Sequence, residues 1–581
     1  MSVTPVMSKQ QDVSASGPAP TSKSPLLSTP DTVNFFGSQI GDESVINYSY
    51  TDSPWKILQK DIYYFFYYIW ALPHIILPFR PADSGALSEL SPTSGNIFCI
   101  FVHTILVILQ LGFILVLLPL ALFIPLWMTI LLTAALLVVN GLLCNLLNGS
   151  DNESEFIFHS DPQYAKPDQP RFAHEQWVFL NGVAVGSHWM KSNLNRLALT
   201  FGRPIVGIHN RTSGIVFDVI ECLVQRSLSY ATEDIRVCYR IMKEKLYDPR
   251  YSKVVFIVHS QGGIEGGLVL DWLLQELPQN LLSKLEVYTF GNAANHFNNP
   301  FHTVGNQAKA ERRPLMGAQD AVGAVGLSEE KFEKEHYKGD HANDGHYHAP
   351  NGLDHRRPPT PTSPPLLNTN ADQNHMPVVE TPISKAPTTR PARAIRTIEH
   401  YAHTTDFVAL WGVIHFATTP LASNMIPRFL GRLFAYECPN GRGGHQLVQH
   451  YLDGMFPLER DPVTGRFVGT KENGNAFMES YVTVCSSKKR SLNGNKACKR
   501  EDVLGSWLDT LEADDGDEDG KMHMITGDSA SLVRQKMGLC EQKVQVKELS
   551  RLWKYRNGRI PKDKPPLLKV GVDGAVRNAT L

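Results

Sequence analysis

The chain has 581 residues and is almost neutral, with 56 Lys plus Arg against 57 Asp plus Glu, so no global field favours a nucleic-acid partner. Its eight cysteines show neither CxxC spacing nor dense pairing, which argues against a disulfide framework or a zinc module. The first 30 residues are rich in Ser, Pro and Thr without an apolar core, so no cleavable signal peptide is expected there.

Residues 1–45 are polar and without periodicity, and read as a disordered tail. Residues 46–96 form an aromatic, amphipathic stretch. Within it DIYYFFYYIWALPHIILPF (Asp61–Phe79) suits an interfacial segment, with Tyr and Trp rings at headgroup level, or a third, shorter insertion. No Asp, Glu, Lys or Arg occurs between Glu89 and Asp151. Residues 97–147 are apolar on every face, and as one helix they would be roughly 75 Å long against a hydrocarbon core of about 30 Å. Pro119 and Pro125 lie near the middle, so the expectation is a membrane hairpin of two helices, 97–118 and 126–147. Two full spans or a re-entrant hairpin would each leave both flanks on one side. Lys56, Lys60 and Arg80 favour the cytosolic side of an intracellular membrane.

From residue 170 to 305 the text alternates in α/β fashion. EQWVFLNG, RPIVGIHN, KVVFIVHS and KLEVYTFGN read as strands, with helices between them such as SHWMKSNLNRLALTFG, TEDIRVCYRIMKEKLYD and GIEGGLVLDWLLQEL. Short all-apolar strands alternating with helices predict an α/β fold, a mostly parallel sheet with helices on both faces. Residues 306–393 are rich in Pro and His and read as a disordered insertion. Regular text resumes over 394–485 with a strand in AIRTIEHYAH and a helix in GHQLVQHYLDGMF; residues 486–581 read as a largely flexible C-terminal region.

The chemistry concentrates at KVVFIVHSQGGIEGG, Lys253–Gly267. An apolar strand runs into Ser260, and Gly262 and Gly263 supply the small residues that let a helix start at once behind it. A strand–turn–helix of this form lifts a serine hydroxyl above the sheet, although an ordinary serine on such a turn remains the alternative. The HSQGG core resembles the nucleophile elbow of the α/β-hydrolase superfamily, in its serine esterase and lipase-like branch. Val258 stands where the pattern Gly-x-Ser-x-Gly has its first glycine, so the packing of strand on helix must differ there. The resemblance covers residues 172–300 and 395–457. FGNAANHF and HYLDGMFP further resemble an uncharacterised fungal membrane-associated hydrolase family, which implies no substrate.

That resemblance implies the order Ser, acid, His, each at a strand end. A serine hydroxyl needs an imidazole to take its proton and a carboxylate to hold that imidazole's tautomer. Asp406, just beyond the strand EHYAH, is the expected acid, with a helix N-cap as the alternative role. His445, after a glycine-rich loop and at the start of a helix, is the expected base; His450, inside that helix, is the alternative base, and His403 reads as a strand residue. The oxyanion would receive the Gln261 N–H and, from the Asn181-Gly182-Val183 loop, the Val183 N–H, unless that loop is a plain glycine turn.

The expected activity is a membrane-anchored serine hydrolase acting on an ester or lipid substrate, with no cofactor. Its rivals are an inactive hydrolase-fold scaffold and an acyltransferase using the same residues. His341, His346 and His348 lack a fixed frame, so no metal is expected there. The basic patch at 488–500 reads as solvated tail rather than a lipid-headgroup site.

Overall fold

Runs of apolar residues buried on both sides build the centre of the molecule. The computed structural model describes residues 33–36, 53–79, 83–149, 156–166, 169–300, 393–418, 431–438, 443–486 and 540–561. In chain order the first elements are β1 (Val33–Phe36), α1 (Pro54–Tyr67), α2 (Ser94–Phe123) and α3 (Leu126–Asn148). Next come β2 (Ile157–His159), β3 (Glu175–Leu180), α4 (Ser187–Phe201), β4 (Val206–Ile208), α5 (Ile215–Leu228) and α6 (Glu233–Tyr247). They are followed by β5 (Lys253–His259), α7 (Gly262–Glu276), α8 (Gln279–Leu282), β6 (Leu285–Phe290), β7 (Thr397–His403), α9 (Phe407–Trp411) and β8 (Arg432–Tyr436). Two small two-stranded antiparallel sheets follow, β9 (Leu458–Arg460) with β10 (Phe467–Thr470) and β11 (Tyr481–Ser486) with β12 (Cys540–Gln545).

The main sheet has eight strands in the order β1-β8-β7-β6-β5-β3-β4-β2. The six inner strands are parallel, and the edge strands β1 and β2 run antiparallel to their neighbours. All seven residues of β5 are buried, as expected of a parallel strand with helices on both faces. Side chains alternate between the faces. Val254, Phe256 and Val258 meet Ile235 and Cys238 of α6 and Leu268 and Val269 of α7. Val255 and Ile257 meet Leu194 and Leu197 of α4, together with Leu447 and Val448.

All four strands expected between residues 170 and 305 are present as β3 to β6. Three expectations need correction. Within the tail expected to be disordered, β1 pairs with β8 and buries Val33; the rest of 1–45 lies outside the described residues. In the C-terminal region expected to be flexible, residues 540–561 are part of the core, with Val544, Val546, Leu549, Leu552 and Tyr555 at 0–1% exposure. The insertion over 306–392 and the basic patch at 488–500 lie outside the described residues. Third, Pro119 does not end the first apolar helix: α2 runs on to Phe123, and the turn falls at Ile124–Pro125.

Both α2 (30 residues) and α3 (23 residues) are long and apolar enough to cross a membrane. The aromatic segment before them is tied to the α/β unit. Asp61 of α1 is buried and pairs with Arg226 of α5 at 2.7 Å, and the Trp411 indole N–H donates to the Asp61 carbonyl at 3.0 Å. Trp55, Tyr63, Phe66, Trp70 and Phe79 remain exposed on its outer side.

Candidate functional site

Ser260 sits at the carboxyl end of β5, where parallel strands of an open α/β sheet commonly place functional groups. Its φ is +59°, a left-handed conformation that an L-residue adopts at a cost of about 1–3 kcal/mol. The turn is held by its own bonds. Ser260 N–H donates to the Phe290 carbonyl at 3.1 Å, while Gly263 and Ala293 N–H donate to the Ser260 carbonyl at 3.0 and 3.2 Å.

The glycines explain how tightly the turn is packed. A Cβ on Gly262 would lie 2.6 Å from the Asn181 carbonyl, and one on Gly263 would collide with the Asn292 side chain. A Cβ on Gly182 would run into the Cβ of Ser260, so the Asn181-Gly182-Val183 loop passes directly over the serine. Asn181 braces that loop, its amide donating to Gly182 and Asn210 carbonyls at 3.0 and 2.8 Å. Val258 is wholly buried, and the facing position on α7 is Gly266, where a Cβ would come 3.1 Å from Val258 Cγ1. The space that the missing glycine would have opened on the strand is opened on the helix instead.

His445 and Asp406 meet Ser260 from two different strand ends. His445 Nε2 is 2.9 Å from Ser260 Oγ, and its Nδ1 is 2.9 Å from Asp406 Oδ2. A carboxylate can only accept, so Nδ1 carries the proton and Nε2 accepts the serine hydroxyl. Asp406 caps α9, its Oδ1 accepting the Val408 N–H at 2.8 Å, while its Oδ2 accepts from His445. Burial alone would raise the Asp406 carboxyl, but His445 and the Tyr451 hydroxyl, which donates to Oδ2 at 2.7 Å, hold it below its ordinary value. All three residues are buried: Ser260 is 3%, His445 6% and Asp406 0% exposed.

The alternative base is elsewhere. His450 Nδ1 accepts the Gln446 N–H at 3.0 Å and its Nε2–H donates to the Pro78 carbonyl at 3.2 Å, so it staples the chain after His445 to the aromatic segment. His403 ends β7 as expected, its ring stacked on Tyr451 with centroids 4.2 Å apart. The turn behind Ser260 uses the N–H groups of Gly263, Ile264 and Glu265 in its own hydrogen bonds, and that of Gln261 is not among them.

Three contributors carry no sequence signal of their own. Tyr451 holds Asp406 from within a helix. His259 Nε2–H donates to the His445 carbonyl at 2.9 Å, with its ring stacked on His445 at 4.7 Å; burial, then the adjacent His445, lowers its pKa to about 3. Asp218 accepts the Ala184 N–H at 3.0 Å and so fixes the loop beyond Val183. Among the described residues no group of three or more His, Cys, Asp or Glu is arranged to hold a metal; His341, His346 and His348 lie outside them. No protein-family model matches the chain, and neither the curated proteins nor the solved structures contain a match to it.

Proposed function

We propose that the chain is a membrane-anchored serine hydrolase that cleaves a carboxylic ester of a lipid or another apolar acyl compound. The reading rests on one observation above all: an unbroken path of hydrogen bonds from Ser260 Oγ through His445 to Asp406, on a strained turn at a strand end. Ser260 Oγ attacks the acyl carbon as its proton passes to His445 Nε2, and Asp406 holds the imidazolium that forms. The Gln261 and Val183 N–H groups receive the oxyanion. Collapse expels the alcohol, which takes its proton from His445; water then enters by the same base and releases the acid. An alcohol in place of that water would make the reaction acyl transfer.

The apolar helices motivate the lipid substrate, because they hold the site beside a bilayer. The basic residues Lys56, Lys60 and Arg80 before them favour a cytosolic side for the domain. The α/β-hydrolase resemblance of HSQGG and the order Ser260, Asp406, His445 support the same reading. A fluorophosphonate probe on the detergent-solubilised chain tests it. Wild type is expected to take the label and Ser260→Ala to lose it; an unlabelled wild type, or an equally labelled variant, overturns the proposal.

A further inference from the structure

Three buried polar residues interrupt the apolar text of α2 at intervals of seven: Asn96, His103 and Gln110. Seven residues are close to two turns, so the three lie on one face. Each is buried, and each bonds the α/β unit. Trp189 Nε1 donates to Asn96 Oδ1 at 2.9 Å, His103 Nε2 to the Ala184 carbonyl at 2.9 Å, and Gln110 Nε2 to the Ser213 carbonyl at 2.7 Å. On α3, Asn140 donates to the same Ser213 carbonyl at 3.0 Å, and Asn148 donates to the Thr212 carbonyl at 2.8 Å. Gln110 also donates to Asn140 Oδ1 at 2.8 Å, joining the two helices near the end of the α/β unit, whose Phe217 meets Phe113 edge-on one turn further out.

Beyond that pair the surroundings change. Between Gln110 and Asn140 only Thr129 is buried, and its hydroxyl bonds the Leu120 carbonyl inside the hairpin. Leu111, Leu115, Leu118, Leu122 and Phe123 are 47–85% exposed on one helix, and Leu126, Trp127, Ile130, Leu131 and Val138 are 59–71% exposed on the other. A protein partner or a second copy would cover one side and leave the others in water; apolar surface on every side fits hydrocarbon. The projecting arms run from 111 to 123 and from 126 to 139, about 20 Å each at 1.5 Å per residue. A bilayer's hydrocarbon core is about 30 Å thick.

We propose that the hairpin enters one leaflet, carries its tip at Ile124–Pro125 to the region just past the bilayer midplane, and does not cross. Its proximal half is docking surface for the α/β unit. The chain is thereby a monotopic protein whose α/β unit and both hairpin flanks face a single leaflet. This depth follows from helix docking and does not depend on the catalytic reading.

The test uses the full chain reconstituted in phosphatidylcholine vesicles, with Phe123→Cys or Leu126→Cys carrying an environment-sensitive fluorophore. Both side chains are exposed, so neither substitution removes a packing contact. Wild type taken through the same labelling corrects for the eight native cysteines. Lipids bearing nitroxides at the end of the acyl chain are expected to quench both probes several-fold more than headgroup nitroxides. In separate samples with the introduced cysteines left unlabelled, an impermeant maleimide, outside the vesicle or trapped within it, is expected to leave both cysteines unmodified. Modification by maleimide from the side opposite the α/β unit would show a full crossing and overturn the proposal. So would stronger quenching from the headgroups, or a chain that stays in the aqueous fraction as a self-associated oligomer.

Discussion

His103, on the first apolar helix, donates from Nε2 to the main-chain carbonyl of Ala184, 2.9 Å away. Ala184 has φ +64°, and its N–H is held in turn by Asp218. A non-glycine residue in that conformation persists only where its surroundings over-determine it. Val183, whose N–H we propose as an oxyanion donor, is the residue immediately before it. On the proposed function, the first apolar helix would therefore help to position the site. Replacing His103 by Ala is expected to slow fluorophosphonate labelling and lower kcat and kcat/KM together by about tenfold, less than the loss of a whole oxyanion donor. Flotation with liposomes should be retained. Rates equal to wild type would show that the loop holds its shape without the helix.

Val258 and Gly266 form a complementary pair across the strand–helix contact. Gly266→Ala is expected to cost about 1–3 kcal/mol by overpacking against the wholly buried valine. Val258→Ala in that background should return part of the loss, because the new methyl fills the space the valine leaves. A double-mutant cycle read by denaturant unfolding in detergent should give a coupling of about 0.5 kcal/mol or more. Simple additivity would mean that Gly266 does not accommodate Val258.

Much of this arrangement was legible before any geometry. The strands β3 to β6 are short apolar runs with turn residues at their ends, and Ser260, Asp406 and His445, singled out through the hydrolase resemblance, lie within hydrogen-bond distance of one another. Other parts had no readable signal. β8 and β1 are four or five residues long, too short for periodicity to tell strand from loop. Residues 540–561 read as tail because their apolar residues alternate with Lys, Arg and Glu, and single-sequence patterns treat charge as solvent-facing. One of those charges, Arg551, is buried in a pair with Glu286. The polar stripe of α2 was hidden in the same way: Asn96, His103 and Gln110 leave the segment uncharged, so they do not disturb the membrane reading, and only the packing shows what they face.

Glu89 provides a test by pH. It lies beside the helix that follows His445, accepting the Val448 N–H at 3.0 Å and the Gln449 N–H at 3.4 Å. Burial raises its pKa from 4.5 to about 7, with Asp453 adding to the rise and the two helix N–H groups opposing it; Arg196 is the cation nearby. Between those values the folded chain holds a proton that the unfolded chain has lost. The stabilising contribution is therefore complete below about pH 4.5 and disappears as the pH rises through about 7. Glu89→Gln keeps an acceptor and cannot ionise. It is expected to flatten the decline in stability over that window by up to about 1.4 kcal/mol per pH unit, measured by thermal unfolding at each pH. Parallel curves for the variant and wild type would refute this.

Arg551 tests the standing of the C-terminal segment. Its Nη2 is 2.8 Å from Glu286 Oε1 on β6, and both Tyr288 and Tyr555 hydroxyls donate to Glu286 Oε2 at 2.8 Å. Burial works to raise the Glu286 carboxyl, but Arg551 outweighs it and holds the pKa down at about 2. Arg551→Met would leave Glu286 buried and charged, with the more distant Arg396 and Lys253 as its remaining cations. Loss of one partner from a buried pair costs about 3–5 kcal/mol, and those two cations favour the lower end. Adding Glu286→Leu should recover a large part, because the desolvated charge is removed with its partner. A change below about 0.5 kcal/mol, the scale of an ordinary surface substitution, would mean that this segment contributes little to the fold.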